Sequence, residues 1–373
     1  MYIKPFKVEI WMNDGETKCS HNLAETCVAS ITIDELLRLS GVGTDELLRL
    51  LAMKMTYGEI KGSLRLRKAV ASLYDNQAIE NITITHGTIA ANMLLYKAMM
   101  SRGDHMVSVV PTYQQHHSIP ESIGADVELF HLIEEEEFLP NLDRLQAAVK
   151  PSTKLIALTN PNNPTGALIE RSVLEGIAEI ARSVGAYVLC DEVYRGTNQR
   201  TNDLSPSMAD IYKKGISTAS TSKAFSLAGL RVGWLIAPRE ITEDVLIHRD
   251  YDTISVGMIN EHFAALALEN HDKILARSRE ITRKNLAVVA EWIEEQPRVS
   301  WVKPSAGTTA MLKLDVPVTS REFCTDLLAR TGVLLTPGEA FDMDGYVRIG
   351  FANDPTVLRA GLNLLSDYMK RFE

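Results

Sequence analysis

From about residue 80 the chain alternates short apolar runs with longer amphipathic ones. Ile82–Thr85, Met106–Val110, Val127–Phe130, Lys154–Thr159 and Tyr187–Cys190 are short and rich in β-branched residues, and they read as strands. Between them, Thr88–Met100, Gln114–Ile123, Leu142–Val149 and Ser172–Val184 carry apolar residues at helical spacing. This alternation predicts α/β layers around a largely parallel sheet. Continuously apolar strands such as Leu155–Leu158 predict that helices cover both faces. Strands at Ile216–Ala219 and Val232–Ala237 follow, then helices at Glu240–Arg249, Asn260–Leu268 and Lys273–Gln296, the last long enough to bridge two domains. Short strands at Val299–Val302, Ala310–Leu314, Val333–Leu335 and Tyr346–Phe351 then accompany helices at Ser320–Arg330 and Thr356–Lys370, which predicts a smaller α+β unit.

The N-terminal pattern is weaker. Residues 1–31 have little periodicity and read as an arm that could close over a site as a lid. Thr32-Ile33-Asp34-Glu35 matches a capping box, with Leu36, Leu37 and Leu39 behind it. Gly41–Thr44 breaks that helix, Asp45–Met55 starts another, Tyr57–Gly62 is a glycine-containing loop, and Ser63–Tyr74 is a basic amphipathic helix. The expected organisation is an arm and helix over 1–45 associated with the smaller domain, a large domain over 46–279 and a small one over 280–373.

Length and composition narrow the function. At 373 residues, about two domains are expected. A hydrophobic fraction of 45% with 23% charged residues excludes a disordered or collagen-like chain. A net charge of -9 argues against nucleic-acid phosphates and anionic membrane surfaces as partners. No apolar run approaches the roughly 20 residues of a membrane-spanning helix, and no apolar segment near the start resembles a secretory signal. Cys19, Cys27, Cys190 and Cys324 lie too far apart for a zinc or disulfide frame. A cytoplasmic protein with reduced cysteines and no metal is expected.

In α/β sheets chemistry gathers where strands end. Ser220-Thr221-Ser222-Lys223 follows one strand, and Gly229-Leu230-Arg231-Val232-Gly233-Trp234 enters the next. Hydroxyls and a fixed guanidinium suit a phosphate dianion, beside which a lysine can form a Schiff base. Taken alone, Lys223 is more simply a surface lysine. Asp191 leaves a buried strand and must be paired or hydrogen-bonded; it either caps a turn or faces a buried cation. Asn160-Pro161-Asn162-Asn163-Pro164-Thr165-Gly166 is a rigid turn presenting amides. Gly87-Thr88 opens a helix, a place where an anion can sit.

In combination these segments resemble the class I/II aminotransferases, pyridoxal-phosphate enzymes of fold type I, from Tyr57 to Phe351 and in the family's order. The resemblance implies a large domain with a mostly parallel central sheet between helices, plus a smaller α+β domain. It makes Lys223 the Schiff-base lysine, Asp191 the partner of the pyridine nitrogen, and Tyr194 and Asn163 the partners of the ring 3-oxygen. Ser220, Ser222 and Arg231, with Gly87 and the backbone at Thr88 and Ile89, become phosphate contacts. Tyr113 becomes the aromatic stacked on the ring, and Arg348 the clamp for a substrate α-carboxylate, with Asn163 and Ala24 beside it. Tyr57 looks like the tyrosine that reaches the phosphate of a partner subunit, which implies a homodimer.

The chain departs from the family's pattern at Asn22-Leu23-Ala24, where Ala24 stands in place of a frequent glycine, and at Ser305-Ala306-Gly307-Thr308-Thr309, which lacks a frequent aromatic. Glu25 could face a basic substrate, but a solvated position is the simpler expectation. The leading function is amino transfer between an α-amino acid and a 2-oxo acid. The alternative is a lyase, a cyclase or an oxidase of an amino acid such as arginine on the same scaffold. A transcription-regulator sensor module lacks room for a DNA-binding domain before Tyr57. Dinucleotide binding lacks the Gly-x-Gly-x-x-Gly turn.

Overall fold

The computed structural model describes residues 2–372. Its central sheet has seven strands in the order Ile82–Thr85, Gly233–Ile236, Gly215–Ser220, Tyr187–Asp191, Thr153–Thr159, His105–Val110 and Asp126–His131. Only Gly233–Ile236 runs antiparallel to its neighbours. The strands at Ile82–Thr85, His105–Val110 and Gly215–Ser220 are buried at every position, as two-sided coverage requires. The α/β class with a mostly parallel, helix-flanked sheet is therefore as expected.

That one reversed strand matters for the site. Parallel strands deliver Thr159, Asp191 and Ser220 at their carboxyl ends. Gly233–Ile236 enters the sheet at this same edge, so Arg231, two residues before it, is brought there too. Gly233 makes the approach possible. A Cβ on it would sit 2.6 Å from the backbone nitrogen of Thr88 and would collide with the backbone of Gly87. The helix Gly87–Met99, buried on most sides, begins at this contact.

The smaller sheet is antiparallel, in the order Thr336–Pro337, Tyr346–Gly350, Thr309–Leu314 and Val299–Trp301. The helices Ser320–Thr331 and Pro355–Met369 cover it, around a core containing Phe323, Leu327, Val347, Ile349 and Leu358. The expected division at residue 279 falls inside the helix His271–Glu294, whose Asn285 amide donates to the carbonyls of Phe351 and Asn353.

The arm is more ordered than its sequence implied. Lys7–Gly15 is a helix that buries Val8, Trp11 and Gly15. Val8, Trp11, Met12 and Gly15 fall at i, i+3, i+4 and i+7, a helical stripe short enough to be overlooked. The Trp11 indole donates to the Leu335 carbonyl at 2.8 Å, and the Lys7 amide donates to Gln114 Oε1 at 2.8 Å. His21–Asn22 then pairs in parallel with Val333–Leu334. The expected capping box forms: Glu35 N donates to Thr32 Oγ1 and Thr32 N to Glu35 Oε2. Among the described residues no helix is long and apolar enough to cross a membrane.

Successive strand residues face opposite ways, so Glu192 turns under the sheet while Asp191 does not. Its carboxylate accepts from Ser207 Oγ, Ser217 Oγ and the Met208 amide at 2.8–2.9 Å. Burial nevertheless raises it from 4.5 to about 6. The folded chain thus keeps this proton at pH values where the unfolded chain has released it. Its stabilising contribution is present below pH 4.5 and is lost as pH rises to about 6, a change of about 2 kcal/mol. Glu192→Gln should therefore gain on the parent by about that amount between about pH 4 and about pH 7 in urea unfolding; a constant difference would refute the account. Gly233→Ala should cost about 1–3 kcal/mol by overpacking. Gly229→Ala, whose Cβ would meet nothing within 4 Å, is the control. Equal melting temperatures for the two variants would contradict the close approach.

Candidate active site

The strand ends surround one cavity of about 350 Å³, lined by both sheets and by the arm. Lys223 enters it from the loop after Gly215–Ser220. Its Nζ donates to Thr26 Oγ1 at 2.6 Å and lies 3.4 Å from Cys27 Sγ. Burial alone would depress this ammonium; Cys27, Tyr194 and Glu25 outweigh burial and raise it. The Cys27 thiol is pushed up to about 11, chiefly by burial.

Asp191 is 5% exposed and surrounded by donors. Asn92 Nδ2 lies 3.1 Å from Oδ2, His116 Nε2 lies 3.3 Å from Oδ2, and the Val193 amide lies 3.2 Å from Oδ1. His116 Nδ1 lies 2.9 Å from the Tyr96 hydroxyl, which burial keeps protonated. The network therefore puts the imidazole proton on Nε2, toward the carboxylate, with Nδ1 accepting from Tyr96. Asn92 in turn accepts from Thr218 Oγ1 at 2.8 Å. Neither Asn92 nor His116 stood out in the sequence, because each lies inside a helix with no motif of its own.

A second group of residues is suited to an anion. Thr88, Ser220, Ser222 and Arg231 line the cavity beside Ile89. Thr88 Oγ1 is buried without a hydrogen-bond partner. Gly87 has φ +77° and does not line the cavity; a Cβ there would stand 3.0 Å from Arg231 Nη2. Arg231 itself holds φ 54°, an uncommon conformation for a side-chain-bearing residue.

Arg348, on Tyr346–Gly350, is 2% exposed. It donates to Asn163 Oδ1, Ala24 O and Thr336 Oγ1 at 3.1–3.2 Å, and its Nε has no partner. Burial lowers the guanidinium from its ordinary value. In the Asn-Pro turn the neighbouring amides are occupied locally: Asn160 bonds the backbone of Ile169, and Asn162 accepts from Thr165. Asn163 alone of the three lines the cavity. Tyr194 is buried at the wall, and Tyr113 donates to Glu9 Oε1 at 2.7 Å.

Most of the residues singled out in the sequence thus meet in one place. Tyr57 does not: it is 78% exposed and outside the cavity. Glu25 is corrected, since it is a half-buried cavity residue whose Oε1 accepts from the amides of Thr26 and Cys27, both at 2.7 Å. Residues 305–309 do not line the cavity. Thr308 Oγ1 instead donates to the Thr26 carbonyl at 2.7 Å and holds the arm in place. The arm residues Glu9, Met12 and Glu16 are cavity residues that sequence reasoning missed along with their helix.

The family model for aminotransferase class I and II matches residues 50–363. A PLP-dependent aminotransferase from Streptococcus suis has a solved structure that is 41% identical, with a TM-score of 0.97 over 100% of this chain and 99% of that one. A capreomycidine synthase from Streptomyces vinaceus is 29% identical over 96% of this chain and 92% of its own length. The solved PLP-dependent cyclase OrfR is 26% identical, with a TM-score of 0.91 over 100% and 98% of the two chains. The chain belongs to the class I and II aminotransferases, a family of pyridoxal-phosphate-dependent enzymes.

Proposed function

We propose that this enzyme moves the amino group of an α-amino acid to a 2-oxo acid, with pyridoxal phosphate held on Lys223. One observation carries the reading. A lysine, a donor-locked carboxylate, an anion cradle and a buried guanidinium with a free Nε line a single cavity. The residues fit the cofactor: Thr88 Oγ1 is a buried hydroxyl in want of a partner, and Asp191 is an oriented carboxylate suited to a buried ring cation.

In this reading the hydroxyls of Thr88, Ser220 and Ser222, the Arg231 guanidinium and the amides at Thr88 and Ile89 hold the phosphate. Asp191 holds the ring nitrogen in its protonated state, Asn163 and Tyr194 bond the ring oxygen, and Tyr113 covers the ring. Pyridoxal phosphate supplies an electron-withdrawing ring that stabilises negative charge at the carbon next to the amino nitrogen. Arg348 binds the substrate α-carboxylate as a fork, which fixes the Cα–H bond relative to Lys223. Lys223 Nζ takes the proton from Cα and returns it elsewhere on the same face. Ala24 contributes its carbonyl to the placement of Arg348.

We also propose the organisation of large unit 46–279 and small unit 280–373, and a two-fold dimer in which Tyr57 completes the neighbouring site. Supporting the dimer, Leu48, Leu51, Met55 and Tyr57 are 62–83% exposed along one segment, an apolar surface of the kind that associates. A second reading, cyclisation of an amino acid, is favoured by the likeness to the capreomycidine synthase and to the cyclase OrfR.

The two readings separate in one assay. Transamination passes the amino group of one amino acid to an added 2-oxo acid, restores the starting absorbance and yields a new amino acid on chromatography. Cyclisation yields a product without any requirement for a 2-oxo acid. Lys223→Ala should lose about a thousandfold or more of turnover while the circular dichroism spectrum stays that of the parent; retained turnover would overturn its role. Leu51→Glu should shift the sedimenting species from dimer toward monomer and weaken retention of the cofactor. An unchanged sedimentation profile would count against the dimer surface.

A further inference from the structure

The charged residues lining the cavity do not balance. Its cations are Lys223, Arg231 and Arg348; its anions are Asp191 and the glutamates Glu9, Glu16 and Glu25. In the function proposed above, each cation is committed: Lys223 to the aldehyde, Arg231 to the phosphate and Arg348 to the α-carboxylate. Asp191 is committed to the ring nitrogen. The glutamates remain, and nothing in that reading neutralises them.

Glu9 and Glu16 lie two turns apart, on the same side of the helix Lys7–Gly15 as Met12. Glu16 stands at the C-terminal end of that helix, where no basic residue occupies the last turn. A carboxylate there meets the negative end of the helix dipole, which is the unfavourable arrangement. Glu16 is exposed and makes no side-chain hydrogen bond or ion pair among the described residues; partial desolvation, then Glu25 and Glu9, raise its pKa. Glu25 is held differently. Burial opposes its charge, but Lys223 and the amides of Cys27 and Thr26 more than compensate, so it stays ionised and oriented. Independently, the free Nε of the buried Arg348 marks the same cavity as a site for a ligand carboxylate.

We propose that Glu9, Glu16 and Glu25 form the side-chain subsite of this pocket and select an α-amino acid whose side chain ends in a cation, a guanidinium or an ammonium. The proposal rests on the reading of the cavity as an amino-acid site. A dicarboxylic amino acid is disfavoured by the same charges: its distal carboxylate would face three carboxylates, with no uncommitted cation in the cavity of this chain. A neutral side chain would leave the like charges uncompensated.

Binding tests this without chemistry. Desamino-arginine and desamino-lysine keep the carboxylate and the side-chain cation but lack the amine that reacts. Desamino-citrulline is the neutral isostere of the first. Calorimetry on the full-length holoenzyme should show desamino-arginine or desamino-lysine binding about tenfold or more tighter than desamino-citrulline. Glu16→Gln and Glu25→Gln should each shrink that gap about threefold or more. Equal affinities, tighter binding of the neutral isostere, or variants that weaken all ligands alike would each overturn the subsite. The underlying reading is judged separately, by conversion of the cofactor absorbance with free amino acids. A cation preference without amino transfer would leave the subsite standing and remove transamination. Transfer from neutral or acidic amino acids without a cation preference would do the reverse.

Discussion

A carboxylate buried at a strand end must be surrounded by donors or lose its charge. Meeting that requirement at Asp191 organises this enzyme. Asn92 reaches it from the helix Gly87–Met99, His116 from the helix Gln115–Ile123, and the Val193 amide from its own loop. Tyr96 and Thr218 then hold His116 and Asn92 in place. The network ties two helices and a neighbouring strand to one atom pair, so the floor of the cavity is fixed by hydrogen-bond geometry as much as by apolar packing. The helix whose Asn92 serves Asp191 also begins at the anion cradle, so a single element spaces the two.

Much of this was legible in the sequence because it depends on local chemistry. Short β-branched runs gave the strands within a residue or so at each end, and the Thr32 capping box formed as its spacing implied. Residues at strand ends, among them Lys223, Asp191, Asn163 and Ser220, converge because a parallel sheet sends its carboxyl ends to one edge. What could not be read was non-local. His116 resembles any helical histidine until Tyr96 and Asp191 are placed on either side of it. Gly233 reads as a generic strand glycine until the backbone of Gly87 is against it.

The arm failed for a different reason. Its helix is short and ends in polar residues, so its apolar stripe was submerged in a segment that looked irregular. That helix gains its stability from elsewhere: Trp11 is anchored on Leu335, and Phe6 packs on Tyr113 with ring centroids 4.6 Å apart. Short helices of this kind exist by tertiary contact rather than by propensity. The error over Glu25 follows from the same cause, because a residue beside an apparently loose arm was taken to be in water.

The arm is fastened at both ends. Pro5 and Lys7 are bonded to Gln114, beside the central sheet, while Trp11, His21 and Asn22 are bonded to residues 333–335, which lead into the smaller one. Mechanically it is a splint across the seam between the two sheets. Any rotation that parts them at this point has to release the glutamine at one end or the indole and the short strand pairing at the other. On the side of the central sheet Gln114 is joined by Tyr113, which donates to Glu9 and packs on Phe6, and by Glu121, which pairs with Lys4. Neither end hangs on a single contact, so relative motion of the two sheets has to strain a set of bonds on one side of the splint or the other.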